Sequence, residues 1–162
     1  MKISLLILSL FTLVACNNSQ DSKENAQTTQ EVQENPLLTQ NEVESFINKN
    51  IPSSYATSFD NGRGFTHSAR WSNITITEIG ILAIVDEYNL KTYAKFSLNE
   101  EYIYGSGGSE NNKKNVWLRF NFTKSTDGKW YLKSVNRSSS GDGALNNLAD
   151  KIFKDNQGIP IK

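Results

Sequence analysis

Apolar side chains recur along this chain with two periods, and each change of period marks a new element. Val43, Phe46 and Ile47 fall at i, i+3 and i+4, with Ile51 at i+8, so one face of a helix is apolar. Thr39 and Glu42 are spaced as the two ends of a capping box. Leu38 and Val43 stand where a hydrophobic staple needs them. Pro52 disfavours helix past about Asn50. The pattern predicts an amphipathic helix of about eleven residues with one face on a core.

Beyond the turn chemistry of residues 60–64, Phe65 to Trp71 alternate weakly, and the period then settles at two. Residues 74–85 are rich in Ile, Val and Thr, but their alternation changes phase between Ile76 and Ile79. A bulge or bend near Glu78–Gly80 would account for the phase change. A turn at residues 86–89 follows, and then Leu90, Thr92, Ala94, Phe96 and Leu98 alternate with polar residues as in a half-buried strand. Residues 105–115, rich in Gly, Ser, Asn and Lys, read as a flexible loop. The clearest hairpin comes last. Val116, Leu118, Phe120 and Phe122 alternate, residues 125–128 suit a type I turn with Gly128 left-handed, and Trp130 and Leu132 follow. Burial selects the register with Leu132 opposite Phe122, which puts Trp130 and Leu132 on the face of Phe120 and Phe122. That register leaves Trp117, Arg119, Tyr131, Lys133, Val135 and Arg137 on the other face, with Trp117 and Arg137 as cross-strand neighbours suited to a cation–π pair. After a small-residue linker over residues 138–143, with Asp142 as N-cap, Leu145, Leu148, Ala149, Ile152 and Phe153 return to the helical period, and Lys151 and Lys154 suit the helix C-terminus. Helix, four to six antiparallel strands, helix: the order predicts an α+β domain with a curved sheet packed against an N-terminal and a C-terminal amphipathic helix.

The remaining segments are polar or uniformly apolar. Residues 17–36 are Asn-, Gln-, Ser-, Thr- and Glu-rich, with Ala26 and Val32 as their main apolar side chains. Such a stretch buries too little surface to offset its ordering entropy, and reads as a tether with a reach of roughly 25 Å. Residues 3–14 form an apolar run behind Lys2, the length of a signal-peptide core and too short to span a bilayer. It ends in Leu13, Val14, Ala15 and Cys16, the only cysteine in the chain. These four residues resemble the lipobox of bacterial lipoproteins. The resemblance implies cleavage before Cys16 and lipid on its thiol, hence a signal peptide over residues 1–15, a lipidated tether over 16–36 and one domain over 37–162. Asn17, where the family's inner-membrane retention signal has Asp, implies the outer membrane, facing the periplasm.

Composition narrows the function classes. Lys and Arg together number 17, as do Asp and Glu, so the balanced charge exerts no general pull on nucleic acid. One His and one Cys exclude a zinc site built on several such ligands. His67 lacks any sequence-adjacent catalytic partner, Glu100 and Glu101 point to opposite faces of a strand, and residues 105–109 lack the lysine and the helix of a phosphate loop. No cofactor is expected. The final hairpin resembles the closing strands of nuclear-transport-factor-2-like and cystatin-like domains, which implies a curved sheet with a cavity or groove.

Three functions are compatible with these features. The first is a non-catalytic interaction module for an envelope protein or a toxin, of an immunity or inhibitor kind, bound through Trp117, Arg119, Tyr131, Lys133 and Arg137, with Lys113 and Lys114 of the expected loop as further contacts. The second is a structural lipoprotein of envelope assembly. The third is a cavity domain that binds or converts a small ligand, with His67, Tyr93 or Asp86 lining the pocket.

Overall fold

The computed structural model describes residues 37–60, 62–137 and 142–162. The cleavage site, Cys16, the tether and linker residues 138–141 lie outside the described residues. Helix α1 is Gln40–Asn50, followed by strands β1 Tyr55–Asp60, β2 Thr66–Asp86, β3 Asn89–Ile103, β4 Ser109–Lys124 and β5 Trp130–Arg137, and by helix α2 Gly143–Asn156. The five strands form one antiparallel meander in sequence order. The α+β expectation and the strand number therefore hold.

The local reasons are those written in the sequence. Thr39 accepts a hydrogen bond from the Glu42 amide, and the Glu42 carboxylate accepts one from the Thr39 amide at 2.8 Å, so the capping box is closed. Leu38 and Val43 are both buried. In the last hairpin Phe122 faces Leu132, Ser125 N–H donates to Lys129 O, and Gly128 adopts φ +81°, a conformation that glycine adopts without steric cost. Asp142 caps α2 by accepting from Leu145 N–H at 2.9 Å.

The core fills the space between one sheet face and both helices. Leu90, Ala94, Phe96 and Leu98 of β3, Leu118, Phe120 and Phe122 of β4, and Trp130 and Leu132 of β5 meet Val43, Phe46 and Ile47 of α1 and Leu145, Leu148 and Ile152 of α2. The Phe46 ring meets Phe120 and Phe122 edge-on at 6.4 and 5.4 Å. Asn147 pins α2 to β1 by donating to Thr57 Oγ1 and Ser58 O, and Asn156 links it to Asn50 of α1. The chain then runs back beside β5. Ile161 N–H donates to Trp130 O, Trp130 N–H donates to Lys162 O, and the Lys162 ammonium meets Glu42 at 3.0 Å.

Three features depart from the sequence expectation. Residues 109–115 are not a loop. They belong to β4, pair with residues 97–103, and leave only a short turn around Gly107 and Gly108. Polar side chains concealed the strand, whose backbone is satisfied by β3 whatever its side chains are. β1 carries no strong apolar run and pairs only with the start of β2, from Tyr55 opposite Trp71 to Asp60 opposite Thr66. The phase change near Glu78 is one of four irregularities in β2. Register shifts fall at residues 73–74, 77, 82 and 85, and Asn73 has φ +53°. Each extra residue bends the strand and curls the sheet around the helices.

Candidate functional site

The sheet face away from the helices is where the sequence places its binding residues. Side chains two apart on a strand share a face, so Trp117 and Arg119 stand side by side on β4. Lys95 lies opposite Trp117 and Tyr93 opposite Arg119. The Arg119 guanidinium sits 5.4 Å from the centre of the Trp117 ring, a cation–π contact. Lys95 approaches the Tyr93 ring at the same distance, 5.4 Å, and pairs with Glu78 at 2.7 Å. The Tyr93 hydroxyl donates to Glu78 as well. These bonds, that from Lys95 first, hold the Glu78 carboxyl below its ordinary value, and the Glu78 bond raises the Tyr93 phenol. Tyr93 packs against Gly80, where a Cβ would come within 2.6 Å of its hydroxyl, so glycine makes room for the ring.

Tyr131 and Lys133 continue this face on β5, but Arg137 does not. Lys133 is an extra residue: Phe122 faces Leu132 while Asn121 already faces Ser134. The bulge reverses the alternation beyond it, so Val135 lies opposite Phe120 and Arg137 opposite Leu118, on the helix side. The expected Trp117–Arg137 pair is therefore not formed. Arg137 instead borders a groove with Asn146 and Asp150 of α2, and Arg119 takes its place over the tryptophan.

Toward the turn between β2 and β3 the outer face carries a groove of about 430 Å³ between Val85, Asn89, Lys91, Arg119, Asn121 and Lys133. The Asp86 carboxyl faces Lys133 at long range and is held below its ordinary value first by the Tyr88 amide, which donates at 2.8 Å, then by Asn89. Beside this groove β2 exposes Ile81, Leu82, Ile84 and Val85, and Tyr88 follows in the turn.

A second polar cluster escaped the sequence reading. Glu100 continues the buried alternation of β3 and is 2% exposed. Trp71, opposite it on β2, donates Nε1–H to Glu100 Oε1 at 2.9 Å. Lys114, diagonal to it on β4, brings Nζ within 2.7 Å of Oε2, an ion pair not aligned as a regular hydrogen bond, and within 3.3 Å of Asp142. Burial alone would lower the Lys114 ammonium; Glu100 and Asp142 more than offset it, and its pKa is raised. Lys114 is thus an internal tie between the sheet and the N-cap of α2, not a loop contact. The sequence signal was the period itself: Glu100 is the next inward position after Leu98.

Residues that a small-molecule pocket would need do not converge. His67 stacks on Phe59 and meets Tyr102 and Tyr104 at one end of the sheet. Asp86 is nineteen residues further along the same strand, near its opposite end, and Tyr93 is on the outer face. Among the described residues no group of three or more His, Cys, Asp or Glu is placed to hold a metal ion.

No protein-family model matches this chain, and no curated protein matches it either.

Proposed function

We propose that this protein is a lipid-anchored binding module of a bacterial cell envelope that carries no chemistry of its own and presents the outer face of its sheet to a protein partner. One observation supports the reading most. Among the described residues both helices pack on the same sheet face and none covers the opposite one, where Arg119 stands over Trp117 beside Tyr93 and Lys95, with Lys133 and Tyr131 further along the face. Trp, Tyr and Arg dominate the energetics of protein interfaces, because each covers much area for few rotatable bonds or forks onto a carboxylate. The partner is accordingly a folded protein with acidic side chains around an apolar spot. Cys16 carries the lipid, residues 17–36 form the tether, and the domain faces the periplasm from the outer membrane.

The test uses the full chain in its host. A photo-crosslinker at Lys95 should trap one partner in constant ratio. Trp117→Ala combined with Arg119→Glu should weaken capture by about thirtyfold, the effect of losing one interface anchor. Cys16→Ser should abolish incorporation of labelled palmitate into the chain. Unchanged capture by the double variant would remove the outer face from consideration, and a wild-type chain that takes up no palmitate label would remove the anchor.

A further inference from the structure

We propose that the end of the sheet formed by the β2–β3 turn inserts into an anionic bilayer surface, a second membrane contact in addition to any lipid on the chain. Ile81, Leu82, Ile84 and Val85 are 41 to 57% exposed, and Tyr88 in the adjoining turn is 51% exposed. They face both ways. Ile81 and Ile84 pair with Thr92 and Leu90, whose side chains point to the helix side, whereas Val85 lines the outer groove with Lys91 and Lys133. A strand end that is apolar on both faces suits hydrocarbon, which contacts all sides alike, better than the one-sided groove of a protein.

The backbone argues the same way. Among the described residues β1 covers only the first residues of β2, so the later part is a sheet edge there, the usual template for an added strand. Register shifts at residues 77, 82 and 85 leave no regular run longer than residues 78–81, too short and too twisted for strand addition. Charge names the lipid. Lys91, Lys124, Lys129 and Lys133 lie at this end of the sheet, where the Lys124 amide donates to Tyr88 O. Among the described residues of these strand ends and turns, the acids are Asp86, Glu87 and Asp127. Two of them spend their carboxylates on their own turns, Asp86 on Tyr88 and Asn89, and Asp127 on Lys129 and Tyr131. An aliphatic tip with an interfacial tyrosine and a basic collar is the pattern of a peripheral contact with acidic phospholipid.

The experiment uses residues 16–162 with Cys16→Ser, the chain as cleavage before residue 16 would leave it, so that neither the lipid nor the apolar run of residues 3–14 contributes. An environment-sensitive fluorophore is placed at Leu82→Cys, or at Ser106→Cys in the turn at the opposite end of the sheet. Vesicles of phosphatidylcholine, with or without phosphatidylglycerol, are added. The label at position 82 should shift to the blue and be quenched by bilayer-borne spin label only when phosphatidylglycerol is present, while the label at 106 stays aqueous. Ile84→Asp with Val85→Asp should abolish the shift with circular dichroism unchanged, and Lys91→Gln should weaken vesicle partitioning about fivefold. An aqueous label at 82, an equal shift at both sites, an equal shift in phosphatidylcholine alone, or a shift that grows with protein concentration without vesicles would each overturn the proposal. The last outcome would identify a second copy of the chain as the occupant.

Discussion

Lys114→Met isolates the contribution of the buried ion pair. The Glu100 side chain is 1% exposed, Lys114 29% and Asp142 16%. Removing one member of a buried pair generally costs about 3–5 kcal/mol, because the other charge is left without compensation. Here Trp71 still donates to Glu100, and the partly open site around Lys114 lets water approach, so the expected loss is about 2–3 kcal/mol. Against a domain stability of about 5–15 kcal/mol, that is a large fraction. Glu100→Gln keeps an oxygen for Trp71 and leaves Lys114 with Asp142, so it should cost about 1 kcal/mol. The double variant should cost little more than Glu100→Gln alone, a coupling of about 2 kcal/mol. Urea unfolding followed by tryptophan fluorescence measures all three, with the slope of the transition unchanged. The alkaline limb supplies a second readout. Because the folded-state pKa of Lys114 is raised, its contribution is complete below the ordinary lysine value of 10.5 and fades as pH rises through the folded value. Lys114→Met should remove that part of the alkaline slope. A loss below about 0.5 kcal/mol, or additive single and double variants, would mean that the pair does not form in solution.

Thr92 is fully buried, and its hydroxyl has no hydrogen-bond partner among the described residues, so Thr92→Val should raise stability by about 1 kcal/mol in the same urea assay. A Cβ at Gly143 would run into the Phe59 ring where α2 meets β1, so Gly143→Ala should lower stability by about 1–3 kcal/mol, with the loss relieved by Phe59→Leu. Burial pushes the Glu42 carboxyl up, but hydrogen bonds from Thr39 and Lys162 outweigh it and hold its pKa below 4.5. A depressed folded-state value means that this stabilisation is present above pH 4.5 and disappears as pH falls through the folded value. Thr39→Ala should cost about 1 kcal/mol at neutral pH and flatten that acid limb.

Apolar period and capping chemistry were legible, and they located α1, α2 and the last hairpin with its register. Phe120, Phe122, Trp130 and Leu132 leave only one pairing that buries them all. Two things were not legible, and the role of a third residue was only half legible. Residues 109–115 and β1 form strands because a neighbour satisfies their backbone, and no side-chain pattern records that. The bulge at Lys133 adds one residue without any glycine or proline to announce it, so Arg137 changes face. Glu100 sits at an apolar position and is tolerated only because Trp71 and Lys114 arrive from other strands. The outer-face candidates therefore divide. Trp117 and Arg119 stand together as a built pair, Tyr131 and Lys133 flank the same face, and Arg137 leaves it.

The order of strand pairing also sets a schedule. Each strand meets its immediate predecessor, so hairpins can form as the chain emerges, but the sheet they build has an open oily face. That face is closed by α2, which contributes Leu145, Leu148 and Ile152 and touches both β1 and β5. Among the described residues, none before residue 142 completes the core, and the N-cap that anchors Lys114 arrives at the same moment. For the export that the proposed anchor requires, this arrangement leaves the sheet incompletely packed until the last helix appears. A chain stopped at residue 141 should accordingly be degraded by protease within the time that leaves the complete chain intact.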